Sequence, residues 1–301
     1  MRPTVLASVV SLLLSSSFAV ANERAVSTPA EAVVQHLQLG AFYKKHASCG
    51  GFPIISSEKV SDAALLEAAY LIDRMLEGRE DIRQALIESK TRFSIMAADE
   101  FTTEIPEHSD LTPKNFWDRR ARGLGATPVR PSVSCGEENL LCLRGDPYYE
   151  ENILVHEFAH AIHDMGLKNI DEEFDRKLKA IYDQAMAEGL WKKKYAANNH
   201  HEYWAECVQS YFGTNRPPDH DHNHVDTREE LKDYDPRVFA LIDDVFRGNP
   251  WDYTRPAKRK HLSHLKELDV EKLPAFSWPP RLAEEAAKLE VLKKQKASGG
   301  R

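Results

Sequence analysis

His156-Glu157-Phe158-Ala159-His160 is the stretch whose residue types and spacing could do chemistry. On an α-helix, residues four apart share a face, one turn of about 5.4 Å from each other. Two imidazoles placed so can reach one metal ion. The carboxylate beside the first of them then falls within reach of a water on that ion. A zinc ion with three protein ligands lowers the pKa of its water toward neutrality, and the carboxylate takes the proton. The pattern points to hydrolysis, with Zn2+ held by His156 and His160 and with Glu157 as general base.

Two histidines leave the third ligand to be found. In one common arrangement a Gly three residues after the second His turns the chain back to a third His. Here His163 and Gly166 stand in exchanged places, so that route is disfavoured. A carboxylate from a later helix is the other common arrangement. His201-Glu202-Tyr203-Trp204-Ala205-Glu206 offers two acids four apart on one face of an otherwise apolar segment. Unpaired burial of two carboxylates is costly, so they need a partner. Glu202 is favoured as the metal ligand. Glu206 is favoured as the group that accepts a hydrogen bond from a ligand histidine and fixes its tautomer. The plainer alternative is an amphipathic surface helix with solvated acids.

HEFAHAIH followed by EYWAE, with Glu202 standing 42 residues after His160, resembles the lethal-factor-like zinc peptidases of the gluzincin type. It is also similar to the Mlc titration factor peptidases. The resemblance covers roughly residues 146–213. It implies a zincin-like domain with Glu202 as third zinc ligand, within a chain whose dominant helices and few strands read as α+β, mostly helical with a small sheet. It also implies a tyrosine seven residues before that Glu, which here is Tyr195. A phenol at that place can donate a hydrogen bond to a developing oxyanion.

The elements that must position these residues follow from periodicity and punctuation. Asp146-Pro147 predicts the start of the motif helix, and Gly166 its end. Helices are expected over 170–190 and 199–212, and over 227–247 with a break at Asp235-Pro236. Before the motif, helices are expected over 30–45, after Ser61, and over 81–89. Phe93 to Ala97 alternates as a strand, and a loop at 123–128 leads to an extended piece through Val133. Strands just before a site helix are where many zinc peptidases hold extended substrate by strand addition.

Several clusters carry weaker signals. The loop Asp219-His220-Asp221-His222-Asn223-His224 is rich in metal-ligand types, yet reads first as a solvated loop. His163 reads as a core or supporting histidine, and His200 and His201 as caps of the Glu202 helix. Glu100 and Glu104 have no assigned role.

Residues 1–21 have a basic start, an apolar run and an Ala19-Val20-Ala21 cleavage site, which predicts a removed signal peptide and a secreted or periplasmic protein. The apolar run is too short to span a bilayer, so no stable membrane insertion is expected after cleavage. An oxidising compartment allows disulfides, with Cys135–Cys142 the pair closest in sequence. Net charge is −7, and residues 256–301 carry eleven Lys/Arg against six Asp/Glu. An acidic body of residues 22–255 with a basic helical tail gives no reason to expect nucleic acid. The leading expectation is a zinc metallopeptidase acting on peptide or protein substrates. The alternatives are a zinc amidase or esterase and a non-catalytic zinc-containing binding module, and the base Glu157 argues against the last.

Overall fold

The computed structural model of the protein describes residues 25–298. The predicted signal peptide lies outside them. The first helix, α1, is short (Glu31–Leu37). The expected continuation to residue 45 does not form, because the chain turns at Gln38 in the left-handed region and then enters a strand.

A five-stranded mixed sheet follows. Strands β1 (Lys45–Cys49) and β2 (Phe52–Ser56) make an antiparallel hairpin. Gly50 and Gly51, both at positive φ, form its tip, which two-residue hairpin turns require. Two helices, α2 (Asp62–Met75) and α3 (Glu80–Glu88), cross over to β3 (Arg92–Met96), which pairs parallel with β2. After α4 (Lys114–Arg120) comes β4 (Gly123–Leu124), and then β5 (Ser132–Gly136). β5 pairs parallel with β3 and antiparallel with β4, so the order is β1-β2-β3-β5-β4 with β4 at the edge. Every residue of β2, β3 and β5 is buried, as expected of parallel strands covered on both faces.

Past β5 the chain is helical: α5 (Glu137–Leu141), α6 (Ile153–Ala161), a π-helical stretch Ile162–Leu167, and α7 (Lys168–Ile170). Next come α8 (Phe174–Ala187), α9 (His200–Tyr211), α10 (Arg228–Tyr234) and α11 (Pro236–Val245). The motif helix starts later than Asp146-Pro147 predicts. Asn152 is its cap, with Oδ1 accepting from the Val155 amide at 3.1 Å. Asp146 instead braces the preceding loop, accepting from the Tyr148 amide and from Asn139 Nδ2. Gly166 does not end the helix. It lets α3 approach, since a Cβ there would stand 2.9 Å from Ile82.

α6 and α9 pack face to face in the largest apolar cluster, which contains Phe158, Ala159, Trp204, Ala205, Val208 and Phe212. The Trp204 indole donates to the Ala159 carbonyl at 2.8 Å and fixes the height of one helix against the other.

The segment after residue 255 packs on this body. Arg259 and His264 converge on the buried Glu67. Phe276 lies over the guanidinium of Arg122, 4.7 Å from ring centroid to charge. The short α12 (Ser263–Lys266) buries Leu265, and α13 (Ala283–Ser298) follows. The Cys135–Cys142 pairing does not form, and all four cysteines are free thiols. Cys135 lies inside β5, while Cys142 caps α5 one turn on, with its thiol turned toward the Asn139 carbonyl. Among the described residues no helix is long and apolar enough to cross a membrane.

Candidate metal centre

α6 presents His156 and His160 on one face, and α9 brings Glu202 across to them. His156 Nε2 lies 3.2 Å from His160 Nε2 and 3.2 Å from Glu202 Oε2. His160 Nε2 is 3.4 Å from the same oxygen. Two imidazole nitrogens and a carboxylate oxygen thus converge on one point, a donor set suited to zinc. The cap of α9 helps to place Glu202, whose amide donates to Asn199 Oδ1 at 2.9 Å.

Behind this point a second layer fixes the first. His156 Nδ1 donates to Gln209 Oε1 at 2.8 Å and stands 3.6 Å from Glu206 Oε1. In the protonated ring Nε2 donates to Glu202 Oε2; in the neutral ring, with the proton kept on Nδ1, Nε2 offers its lone pair on the side of His160 and Glu202. Glu206 therefore sits behind the ring while Glu202 sits in front of it. Its other oxygen lies 3.4 Å from His222 Nε2, and His222 Nδ1 donates to Asp219 Oδ1 at 2.9 Å.

The electrostatics favour a cation. Burial alone would push the His156 imidazole down. The hydrogen bond to Glu202 and the charges of Glu157, Glu202 and Glu206 more than reverse this and raise it. Burial would raise the Glu202 carboxyl, but hydrogen bonds from His156 and His160 hold it well below the usual carboxylate range. Glu157 is raised by burial. Three carboxylates around two imidazoles leave a negative excess that a divalent ion would balance, so the residues fit a metal.

Tyr195 lies at the side. Its hydroxyl donates to Glu202 Oε1 at 3.3 Å, and burial raises its pKa, so the proton stays on. The Asp/His loop holds it there. The Tyr195 amide donates to the Asp221 carbonyl at 2.7 Å, and Lys194 Nζ reaches the Asp219 carbonyl at 2.9 Å. The loop is a brace, with Asp219 Oδ1 also accepting from the Asp221 and His222 amides.

The sheet edge closes the site from the other side. A Cβ on Gly123 would stand 2.4 Å from Ile153 and 3.0 Å from Glu157, and one on Gly125 would stand 2.7 Å from His160. Only glycine lets β4 lie this close along α6. Arg122, just before β4, is anchored by a fully buried bidentate pair with Glu138, at 2.6 and 2.9 Å.

The structure brings His156, Glu157, His160, Tyr195, Glu202 and Glu206 together. Glu100 and Glu104 are not among them, and both accept from amides of the loop that follows the central strand β3. Sequence patterns do not reveal Gln209, the two glycines at β4 or the bracing role of the 219–224 loop. Gln209 had a signal, since it stands seven residues after Glu202 and three after Glu206, on the same helix face. No protein-family model matches the chain, and no curated protein matches it.

Proposed function

We propose that the chain is an exported zinc-dependent metallopeptidase with a zincin-like catalytic domain. The observation that carries this reading is the convergence of His156, His160 and Glu202 within 3.4 Å, with Glu157 on the same helix. His156, His160 and Glu202 would hold the metal. Zinc bound there would supply a water of near-neutral pKa and polarise the substrate carbonyl.

The chain's own groups do the rest. Glu157 takes the proton of the attacking water and passes it to the leaving amine. Burial, by raising its carboxyl, suits it to both steps. The Tyr195 hydroxyl, kept protonated, turns from Glu202 to the oxygen on which negative charge develops. Gln209 and Glu206 keep the His156 ring in one tautomer. The edge position of β4, pressed against the motif helix, supports a peptide as substrate. An extended chain can pair with a sheet edge, and a small ester has no need of one.

The test is a peptide-library digest by wild-type protein and Glu157→Gln, with zinc content measured on both. Cleavage by wild type that is lost in Glu157→Gln, with zinc retained, is the expected result. Zinc retention that depends on His156, together with no cleavage of any peptide, would overturn the peptidase reading.

A further inference from the structure

Three imidazoles outside this centre meet where the π-helical stretch abuts the starts of α8 and α9. One ring nitrogen from each of His163, His200 and His201 lies within 4.8 Å of the others. Ring centroids are 4.8 Å apart for His163 and His201, and 4.2 Å for His200 and His201.

Each ring also holds one nitrogen against a carboxylate. Asp175 Oδ1 receives Nε2 of His163 at 2.9 Å and Nε2 of His200 at 3.1 Å. Asp164 Oδ2 receives Nδ1 of His201 at 3.2 Å. An ionised carboxylate only accepts, so the nitrogen facing it carries the proton. In a neutral imidazole the other nitrogen is then a bare lone pair. For His163 that nitrogen is Nδ1, buried with no hydrogen-bond partner, on a residue with no exposed surface. A buried acceptor left without a donor is costly and rare in native proteins. Imidazole bonded to a carboxylate through one nitrogen, with the other free, is the arrangement that metal-binding histidines adopt.

Asp164 and Asp175 set two negative charges against the three rings. Two histidines in the first turn of α9 sit at the positive end of that helix, where added positive charge is disfavoured. Asp164 and Asp175 offset this, and one lysine, Lys168, reaches Asp164 Oδ1 at 3.1 Å. Imidazole nitrogens suit zinc and its late first-row neighbours rather than calcium or magnesium.

We propose that His163, His200 and His201 form a second metal site for zinc or a similar late first-row divalent ion, with Asp164 and Asp175 fixing the ring tautomers. The ion would tie together the π-helical stretch, α8 and the start of α9. These segments carry or adjoin His160 and Glu202, so the second ion would stiffen the frame of the first. The proposal goes beyond the hydrolase reading and does not depend on it.

The experiment strips the purified protein with a chelator and titrates it with Zn2+, and with Co2+ for its absorption spectrum. Wild type is expected to take up two ions per chain. H200Q/H201Q should take up one, and H156Q/H160Q also one, with different Co2+ spectra. A rise in melting temperature on adding Zn2+ should persist in H156Q/H160Q. D175N covers the case where H200Q/H201Q misfolds. It should weaken the second ion about 10–100-fold and leave the first unchanged. Uptake of one ion by wild type, lost entirely in H156Q/H160Q, would overturn the second site and leave the first standing. A silent peptide assay with two ions bound would overturn the hydrolase reading alone.

Discussion

Gln209 Oε1 lies 2.8 Å from Nδ1 of His156 and decides which nitrogen of that ring faces Glu202. An amide side chain stands here where a carboxylate stands behind many metal-binding histidines. Replacing Gln209 by Leu keeps the bulk and removes the acceptor. Zinc affinity is expected to fall about 10–100-fold, read by competition with a chromogenic chelator. Unchanged affinity would assign the tautomer to Glu206 alone.

Glu157→Gln preserves shape and removes the base. Peptide turnover should fall by about 10²–10⁴-fold while zinc content stays at the wild-type level. Residual activity above a tenth of wild type would place the base elsewhere.

Tyr195→Phe removes one hydroxyl from the side of the site. A donor that acts only on developing charge changes kcat rather than KM, so kcat should fall about 10²–10³-fold with KM nearly constant. A change in KM alone would make Tyr195 a substrate-binding group instead.

His222 gives a pH dependence with a definite sign. Burial alone would lower its pKa, but hydrogen bonds to Glu206 and Asp219 lift it from the usual 6.5 to about 9. Below pH 6.5 the folded and unfolded chains are both protonated there, and the stabilisation is complete. Above that, the unfolded chain releases its proton first, so stability falls as pH rises through about 9. The loss is on the order of 3 kcal/mol. Urea unfolding of wild type and His222→Gln at pH 6 and pH 9.5 checks this, because the wild-type advantage should shrink at the higher pH. A constant difference would count against it.

Arg122 and Glu138 have no exposed side-chain surface. Glu138→Leu leaves a buried guanidinium uncompensated and should cost about 3–5 kcal/mol in chemical denaturation. The double variant Arg122→Met/Glu138→Leu should recover much of that stability. Because Arg122 precedes β4, the single variant should also lower turnover.

The site is legible in the sequence where spacing within one helix carries it. His156 and His160 fall on one face by periodicity, and so do Glu202 and Glu206, with Asn199 a readable cap. The α+β class and the strands β2 and β3 follow from their apolar runs. What stays hidden depends on contacts between distant segments. Gln209 looks like one more polar residue on α9 until α6 is packed against it. Asp146-Pro147 carries every local mark of a helix start, but Asn139 draws the Asp146 carboxylate into a loop contact and the helix waits for Asn152. β1 is masked because the helical apolar spacing before it runs on toward residue 45, although Gly50-Gly51 marks a hairpin on its own.

The two glycines at β4 have a consequence for sequence change. With 2.4 Å to Ile153 and 2.7 Å to His160 as the only room for a side chain, neither position can drift even to alanine without pushing the strand off the helix. Saturation libraries at 123 and 125 should return glycine alone among active clones, while Leu124 between them varies. Gly-x-Gly some thirty residues ahead of the histidine pair is therefore as strict a signature of this centre as the histidines themselves.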